Sequence, residues 1–215
     1  MNFSKARFLL LGVSVLSLGI ILGIFFWLKL APRPGLTGWN AKPLEGLIRY
    51  GTVPNFSLVE RSGKAITLAD LRGSIWIADF IYTTCTDTCP MQTAEMAQLL
   101  EQWKDKAGLK LVSFSVDPEK DTTEVLSRYA DRYKADSIRW LFLTGAKEDM
   151  TRLVQEGFKL SAVPVANAES SESIIMHSPR FVLIDKQAEI RGYYDSRDPQ
   201  ALERLKKDVA TLIKG

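Results

Sequence analysis

The chain has 215 residues, enough for one ordinary domain of roughly 150–180 residues plus additional segments. Hydrophobic residues make up 46% and charged residues 25%, a composition that is typical of globular proteins and excludes a largely disordered chain. The net charge is +3, and the lysines and arginines are spread among acidic residues without a basic stripe, which argues against nucleic-acid binding.

The first 30 residues are predicted to contain a membrane anchor. Residues 8–28 carry no charge, and a helix of that length rises about 30 Å, which matches the hydrocarbon thickness of a bilayer. Trp27 lies at the far end, where an interfacial aromatic side chain is expected. The run is longer than the ~7–15 apolar residues of a cleaved signal peptide, and no A-x-A-like site follows it closely. We therefore predict an uncleaved transmembrane helix over residues 8–30.

The segments on either side of the anchor predict where the domain lies. The short tail of residues 1–7 is expected to stay in the cytoplasm, which places the rest outside. The predicted protein is thus a single-pass protein of the cell inner (plasma) membrane with its soluble domain on the periplasmic side. Residues 31–50 contain three prolines and three glycines, typical of a tether. The domain itself is predicted over residues 51–215.

Strands and helices are predicted to alternate along this domain. The strands are predicted at residues 56–59, 66–68, 74–82, 109–116, 140–143, 180–185 and 189–194. The helices are predicted at residues 90–106, 122–133, 147–157 and 199–214. Alternation indicates βαβ units with parallel strands, whereas the tight turn between the last two strands makes that pair antiparallel. The predicted fold class is α/β, a thioredoxin-like fold with a mixed central sheet flanked by helices.

The only two cysteines, Cys85 and Cys89, lie between the carboxyl end of the 74–82 strand and the next helix. Ligands bind at this position in open α/β sheets. Backbone N–H groups and the helix dipole favour negative charge there, so both thiols are expected to have depressed pKa values. The four-residue spacing allows both sulfurs to reach one metal ion, or each other in a disulfide. We interpret the pair as functional rather than as packed core residues.

His177, the only histidine, is predicted to be a third ligand. It follows the polar loop at residues 161–173 and precedes the strand that should lie beside the cysteine-bearing strand. Two cysteines and one histidine cannot form a tetrahedral zinc site of four cysteines, or of two cysteines and two histidines. Two thiolates and one imidazole suit Cu(I), and also Cu(II). Three ligands leave an open edge through which a partner's thiolate can enter.

Two aspartates are weaker candidates for the same site. Asp117 ends the strand at residues 109–116, so it either bears on the site or caps the turn before Thr122. Asp87 lies between the cysteines and is interpreted either as a turn former or as a group that supports the ligands.

Three segments, WIADFIYTTCTDTCP, VSFSVDPEKDT and MHSPRFVLIDKQAEIRGYYD, resemble the Sco/SenC family over roughly residues 50–214. Members of that family are membrane-tethered copper chaperones that assemble the binuclear copper centre of cytochrome c oxidase. The resemblance implies that Cys85, Cys89 and His177 are copper ligands and that Asp117 occupies the family's V-D-P position. It also implies a partner, the copper-bearing oxidase subunit, together with other copper chaperones or thioredoxin-like reductants.

Two features depart from the family pattern. Many members have proline directly after the first cysteine, where this chain has Thr86. Pro179 lies six residues before Asp185, where thioredoxin-like oxidoreductases keep a cis-proline that faces the active cysteines. A cis Ser178–Pro179 bond is therefore a hypothesis, and it would favour thiol–disulfide exchange.

Three functions are consistent with these residues. The favoured one is a copper chaperone that delivers its ion to cytochrome c oxidase. The alternative is a thiol–disulfide oxidoreductase that keeps the oxidase's copper-site cysteines reduced, with Cys85 or Cys89 as the attacking thiolate. Whether the chain is an enzyme depends on the choice between these two. A peroxidase is least favoured, because the T-x-x-C of residues 86–89 lacks the upstream proline of peroxiredoxins, where this chain has Tyr82.

Overall fold

The fold is described by a computed structural model for residues 47–104, 106, 108–160 and 179–214. The predicted tail, the predicted anchor and most of the predicted tether lie outside these residues, as do His177 and Ser178. Every described residue belongs to the unit formed by residues 42–215. Within the described ranges, no helix has both the length and the apolar character that a membrane crossing requires.

The described residues form strands and helices in alternation. The strands are β1 (Gly51–Thr52), β2 (Ser57–Glu60), β3 (Ala65–Thr67), β4 (Ile75–Ile81), β5 (Leu109–Ser115), β6 (Trp140–Thr144), β7 (Arg180–Ile184) and β8 (Glu189–Asp195). The helices are α1 (Thr88–Gln102), α2 (Thr123–Arg132), α3 (Lys147–Arg152) and α4 (Pro199–Lys214). A 3-10 turn at Leu68–Asp70 and a π-helical turn at Leu153–Gly157 complete the order.

The strands of the described ranges form one sheet in the order β1-β8-β7-β4-β5-β6-β2-β3. β4, β5 and β6 pair in parallel, and the remaining neighbours pair antiparallel. The prediction of a mixed α/β sheet is therefore confirmed. β7 lies beside β4, as expected for the strand that follows His177. The carboxyl ends of the parallel strands share one edge of the sheet, and the cysteines follow β4 at that edge.

β4 is buried at every one of its positions, because the sheet is covered on both faces. Its residues alternate between two hydrophobic clusters, since successive side chains of a strand point to opposite faces. Trp76 and Phe80 join the cluster that contains Phe114 and Phe158. Ile77 and Ile81 join the other cluster, which includes both cysteines. The long apolar run thus places the cysteines on one side of the sheet.

α1 begins at Thr88, two residues before the predicted start, and ends at Gln102 rather than at residue 106. Pro90 is therefore its third residue and not its first. The position is tolerated because the N–H groups of the first turn have no partner within the helix. The predicted helix at residues 147–157 also differs: its second half is π-helical, with the N–H of Phe158 bonded to the carbonyl of Leu153 at 2.9 Å.

Phe114 on β5 provides a test of the core on the side away from the cysteines. Its ring lies 5.6 Å from that of Phe80 and 5.3 Å from that of Phe158, centroid to centroid, and it is fully buried. Phe114→Ala should lower the free energy of unfolding by about 3–5 kcal/mol, because it removes buried contacts and leaves a cavity. The measurement is denaturant unfolding followed by tryptophan fluorescence. Ile138→Ala, at a residue that is 79% exposed, is the control and should change stability by less than about 0.5 kcal/mol.

Candidate metal and thiol site

The cysteine loop, residues 82–87, connects β4 to α1 at the carboxyl end of the parallel strands. The carbonyl of Tyr82 accepts a hydrogen bond from the backbone N–H of Cys85 at 3.1 Å. This bond closes a tight turn that carries Cys85 away from the strand. Cys89 is the second residue of α1. One cysteine therefore lies before the helix and the other in its first turn.

The two cysteines lie next to each other. The backbone N–H of Cys89 donates a hydrogen bond to Cys85 Sγ over 3.4 Å. Both are free thiols and both are buried, with exposed fractions of 8% for Cys85 and 3% for Cys89. Within the described residues, no three histidine, cysteine, aspartate or glutamate side chains group closely enough to hold a metal ion. The cysteine pair is thus brought together by the fold, while the predicted third ligand, His177, lies outside the described residues.

The two thiols differ in acidity. Burial raises the pKa of Cys85, but hydrogen bonds from the backbone of Cys89 and Asp87 and from the Tyr82 hydroxyl outweigh it, so the pKa lies below its ordinary value. Burial raises the pKa of Cys89 to about 12, although its thiol receives a hydrogen bond from the backbone N–H of Tyr82. The prediction of two depressed pKa values is therefore wrong for Cys89. Its place in the first turn of α1 does not offset the loss of solvent around its sulfur.

β4 carries a buried carboxyl group on the side of the sheet that faces the cysteines. Asp79 is fully buried, and neither of its carboxyl oxygens makes a well-formed hydrogen bond within the described residues. Burial raises the pKa of Asp79 to about 7, and the hydroxyl of Ser113, its neighbour on β5, counteracts that rise only in part. The charge of Asp79 in turn raises the pKa of Cys89. Asp79 was not predicted as a site residue, although an ionisable residue inside an apolar run is a signal for one.

A second carboxylate that was not predicted, Asp121, reaches the cysteine loop from the segment after β5. It is fully buried and accepts hydrogen bonds from the hydroxyls of Thr83 and Ser115, each at 2.6 Å. It also accepts the backbone N–H of Thr83, at 3.2 Å to each carboxylate oxygen. The only signal in the sequence is its place four residues after Asp117 in VDPEKD.

Asp117 itself forms the turn after β5. Its backbone carbonyl accepts hydrogen bonds from the N–H groups of Lys120 and Asp121, at 3.1 and 2.9 Å. Its carboxylate forms an ion pair with Lys120 at 2.9 Å. Of the two roles that the sequence leaves open, this geometry matches the turn former.

Asp87 and Pro179, two further residues named in the sequence analysis, form hydrogen bonds through their main chains. Asp87 directly precedes α1, and its side chain does not cap the helix, but its backbone donates a hydrogen bond to the Cys85 thiol. The carbonyl of Pro179 accepts two hydrogen bonds from Ser196, at 2.8 Å from its N–H and 3.0 Å from its hydroxyl. The Ser178–Pro179 bond lies outside the described residues, so its isomer stays a prediction.

The start of β7 is fastened to the helix that carries Cys89. The side-chain amide of Gln92 on α1 donates a hydrogen bond to the carbonyl of Arg180 over 3.3 Å. Arg180 is the third residue after His177. β7 therefore enters the sheet next to α1. The ligand role of His177 stays a prediction.

Comparison with known proteins identifies the family. The family model described as SCO1/SenC matches residues 49–214. The chain belongs to the SCO1/SenC family. It is similar to a candidate copper-binding protein of Stutzerimonas stutzeri, with 31% identity over 169 residues that cover 78% of this chain and 79% of the relative.

Two solved structures of Sco proteins have the same fold. One is a SCO1/SenC family lipoprotein from Bacillus anthracis, with 32% identity, a TM-score of 0.65 and coverage of 75% of this chain and 94% of that one. The other is BsSco, described as a member of the Sco family of cytochrome c oxidase assembly proteins that contains a disulfide switch. It has 27% identity, a TM-score of 0.66 and coverage of 80% and 99%.

The acidity of Cys85 in this Sco protein should depend on the hydroxyl of Tyr82. Tyr82→Phe removes a hydrogen bond to the thiolate, so the pKa of Cys85 should rise. A higher pKa leaves less thiolate at neutral pH, so iodoacetamide should alkylate Cys85 more slowly at pH 7, and the rate should recover as the pH rises. Peptide mass spectrometry measures the rate at Cys85 apart from Cys89. Tyr50→Phe, next to the edge strand β1 and three strands away from β4, is the control. An unchanged pH profile in Tyr82→Phe would contradict the assignment.

Proposed function

We propose that this chain binds copper as cargo through Cys85, Cys89 and His177 and delivers it to the copper-bearing subunit of cytochrome c oxidase. In this proposal residues 8–30 anchor it in the inner membrane, and the domain faces the periplasm. The observation that carries the proposal is the adjacency of the two thiols, with the N–H of Cys89 on Cys85 Sγ at 3.4 Å. Family membership supports it, as do the copper-binding name of the S. stutzeri relative and the assembly role given for BsSco.

The chemistry of the thiols fits a soft ion. Thiolates prefer Cu(I), and one imidazole added to two thiolates leaves the ion three-coordinate and open to a further ligand. Hydrogen bonds stabilise the thiolate of Cys85 and lower its pKa, so copper displaces this proton more readily than that of an ordinary cysteine. Cys89 is the more deeply buried of the two, 3% exposed against 8% for Cys85, so in this proposal its sulfur holds the ion from the protein side. A partner's thiolate can then replace these ligands one at a time.

Copper titration of the reduced full chain in mild detergent tests this proposal. Competition with a chromophoric Cu(I) chelator should show one bound ion in the wild type. Cys85→Ser and Cys89→Ser should each abolish competitive binding, and His177→Ala should weaken it at least about tenfold, since even loss of a residue that only supports a ligand costs about 10–100-fold. Asp117→Asn is the control and should bind like the wild type, because its carboxylate pairs with Lys120. Wild-type affinity in both serine variants would refute the copper site.

Thiol–disulfide exchange is a second candidate, favoured by the unequal acidity of the two thiols. The Cys85 thiolate would attack a partner's disulfide, forming a mixed disulfide and releasing one partner thiolate. Cys89 would then lose its proton and attack the Cys85 sulfur, releasing the second partner thiolate and leaving a Cys85–Cys89 disulfide. Two electrons pass to the partner, and a thioredoxin-like dithiol reductant would restore the pair. The disulfide switch described for BsSco supports a reversible Cys85–Cys89 disulfide in this chain.

The two functions separate in a reduction assay. The substrate is an oxidised, copper-free peptide that carries the oxidase subunit's cysteine pair. His177→Ala should reduce it at the wild-type rate, Cys85→Ser should be inactive, and Cys89→Ser should stop at a trapped mixed disulfide that mass spectrometry detects. A trapped adduct on Cys89 in the Cys85→Ser variant would reverse the assigned order of attack.

A further inference from the structure

The buried carboxylate of Asp121 accepts hydrogen bonds from the cysteine loop. It is fully buried, and its contacts are the N–H and hydroxyl of Thr83 and the hydroxyl of Ser115. Taking a carboxylate out of water is costly unless donors replace the lost hydration, and these three donors do so. The turn that holds Asp121 is closed by the backbone carbonyl of Asp117 and does not need this side chain. The side chain of Asp121 therefore serves the cysteine loop.

The hydrogen bonds of Asp121 hold the cysteine loop at Thr83. The last bond of the β4–β5 ladder runs from the N–H of Val116 to the carbonyl of Ile81, at 2.8 Å. Thr83 lies beyond that bond, inside the turn that the N–H of Cys85 closes on Tyr82. Both hydrogen-bond donors of Thr83, its N–H and its hydroxyl, bond to the carboxylate of Asp121. Without this acceptor the turn would keep its own hydrogen bond and the contacts of Tyr82 with the two thiols, but it would lose its link to the segment after β5.

The position of Cys85 depends on the hydrogen bonds of Thr83 to Asp121, because Thr83 lies two residues earlier in the same turn. Its sulfur meets the N–H of Cys89 at 3.4 Å, a long contact that a small shift of the loop would break. The series of contacts thus runs from Asp121 to Thr83, through the turn to Cys85, and on to the first turn of α1. The hydroxyl of Ser115, at the end of β5, donates a hydrogen bond to the same carboxylate. The loop is thereby connected through Asp121 to a strand of the sheet.

We propose that Asp121 is a positioning residue, which holds Cys85 Sγ where it can share a ligand with Cys89 or bond to it. The copper part of this inference rests on the proposed function. Asp121 touches neither the ion nor a sulfur in this scheme. It acts by satisfying the donors of Thr83, so the neutral but isosteric asparagine should replace it in part.

Asp136 offers a matched control. Its carboxylate also accepts two backbone N–H groups, from Ile138 at 2.8 Å and Arg139 at 3.0 Å. It precedes β6 and therefore lies at the opposite edge of the sheet from the cysteine loop. Asp136→Ala should remove two backbone hydrogen bonds without moving the cysteines, and because the side chain of Asp136 is 39% exposed it should cost less stability than Asp121→Ala.

The experiment compares Asp121→Ala, Asp121→Asn and Asp136→Ala in the full chain. Three quantities are measured: the Cu(I) affinity, the absorption band of the Cu(II) form and, without copper, the rate at which a fixed concentration of diamide forms the Cys85–Cys89 disulfide. Asp121→Ala should lose about 10–100-fold in affinity, the usual effect of removing a group that orients a ligand. Its Cu(II) band should shift and its disulfide should close more slowly. Asp121→Asn should recover most of each change, and Asp136→Ala should show none of the three.

The outcomes distinguish this inference from the proposed function. Wild-type copper affinity, band and closure rate in Asp121→Ala would overturn the positioning role. If the wild-type chain binds no copper through its cysteines, the copper function fails, and the closure rate alone decides the role of Asp121. If Asp121→Ala does not fold, Asp121→Asn and Ser115→Ala carry the test, and unchanged values in both would overturn the inference.

Discussion

The site depends on one constraint: β4 is buried along its whole length, so every polar group of its backbone must find a protein partner. Neighbouring strands supply those partners up to Ile81, whose carbonyl takes the N–H of Val116. After Ile81 the pairing of β4 with β5 ends, so the following backbone groups need other partners. The carbonyl of Tyr82 is satisfied by Cys85, and the N–H of Thr83 by Asp121. The hydrogen bonds that end the strand are thus the ones that place the first cysteine.

The two cysteines share one helix start but have different environments. Cys85 lies before α1 and collects hydrogen bonds from the helix start and from a tyrosine, which favour its thiolate. Cys89 lies one residue inside the helix and points into the core, near the buried carboxyl group of Asp79. The dipole of a helix is a modest effect, of about 0.3–1 kcal/mol at an exposed site, so burial dominates where a sulfur loses its solvent. The result is one thiol whose pKa is lowered and one whose pKa is raised.

Copper transfer and thiol exchange make similar demands on such a pair. Both need one sulfur that is available to a partner and a second that completes the bond from the protein side. Both also need a fixed distance between the sulfurs, which the cysteine loop sets. The two proposed functions can therefore use the same two residues. In those proposals His177 separates them, because an imidazole is useful to a metal ion and dispensable for disulfide exchange.

The order of elements could be predicted from the sequence because it is a local property. Apolar runs such as residues 75–81, turn residues and helical spacing identify strands and helices, and alternation then implies a mixed sheet with the cysteines at its ligand-binding edge. The pairing of β7 with β4 also followed, since it is a consequence of that fold. The predicted ends of the helices were less accurate. For α1 the reason is that Pro90 fits the third helical position as well as the first.

The amino-acid sequence by itself determined the α/β class, the cysteine pair and the strand that follows His177. Only the tertiary structure decided which thiol is acidic, and which aspartate serves the cysteine loop. Both depend on burial and on partners distant in sequence: Asp121 meets Thr83 across 38 positions, and the pKa of Cys89 reflects the core packed around it. Asp117 and Asp121 cannot be told apart in the sequence. In the fold, Asp121 bonds to the cysteine loop, whereas Asp117 forms the turn after β5.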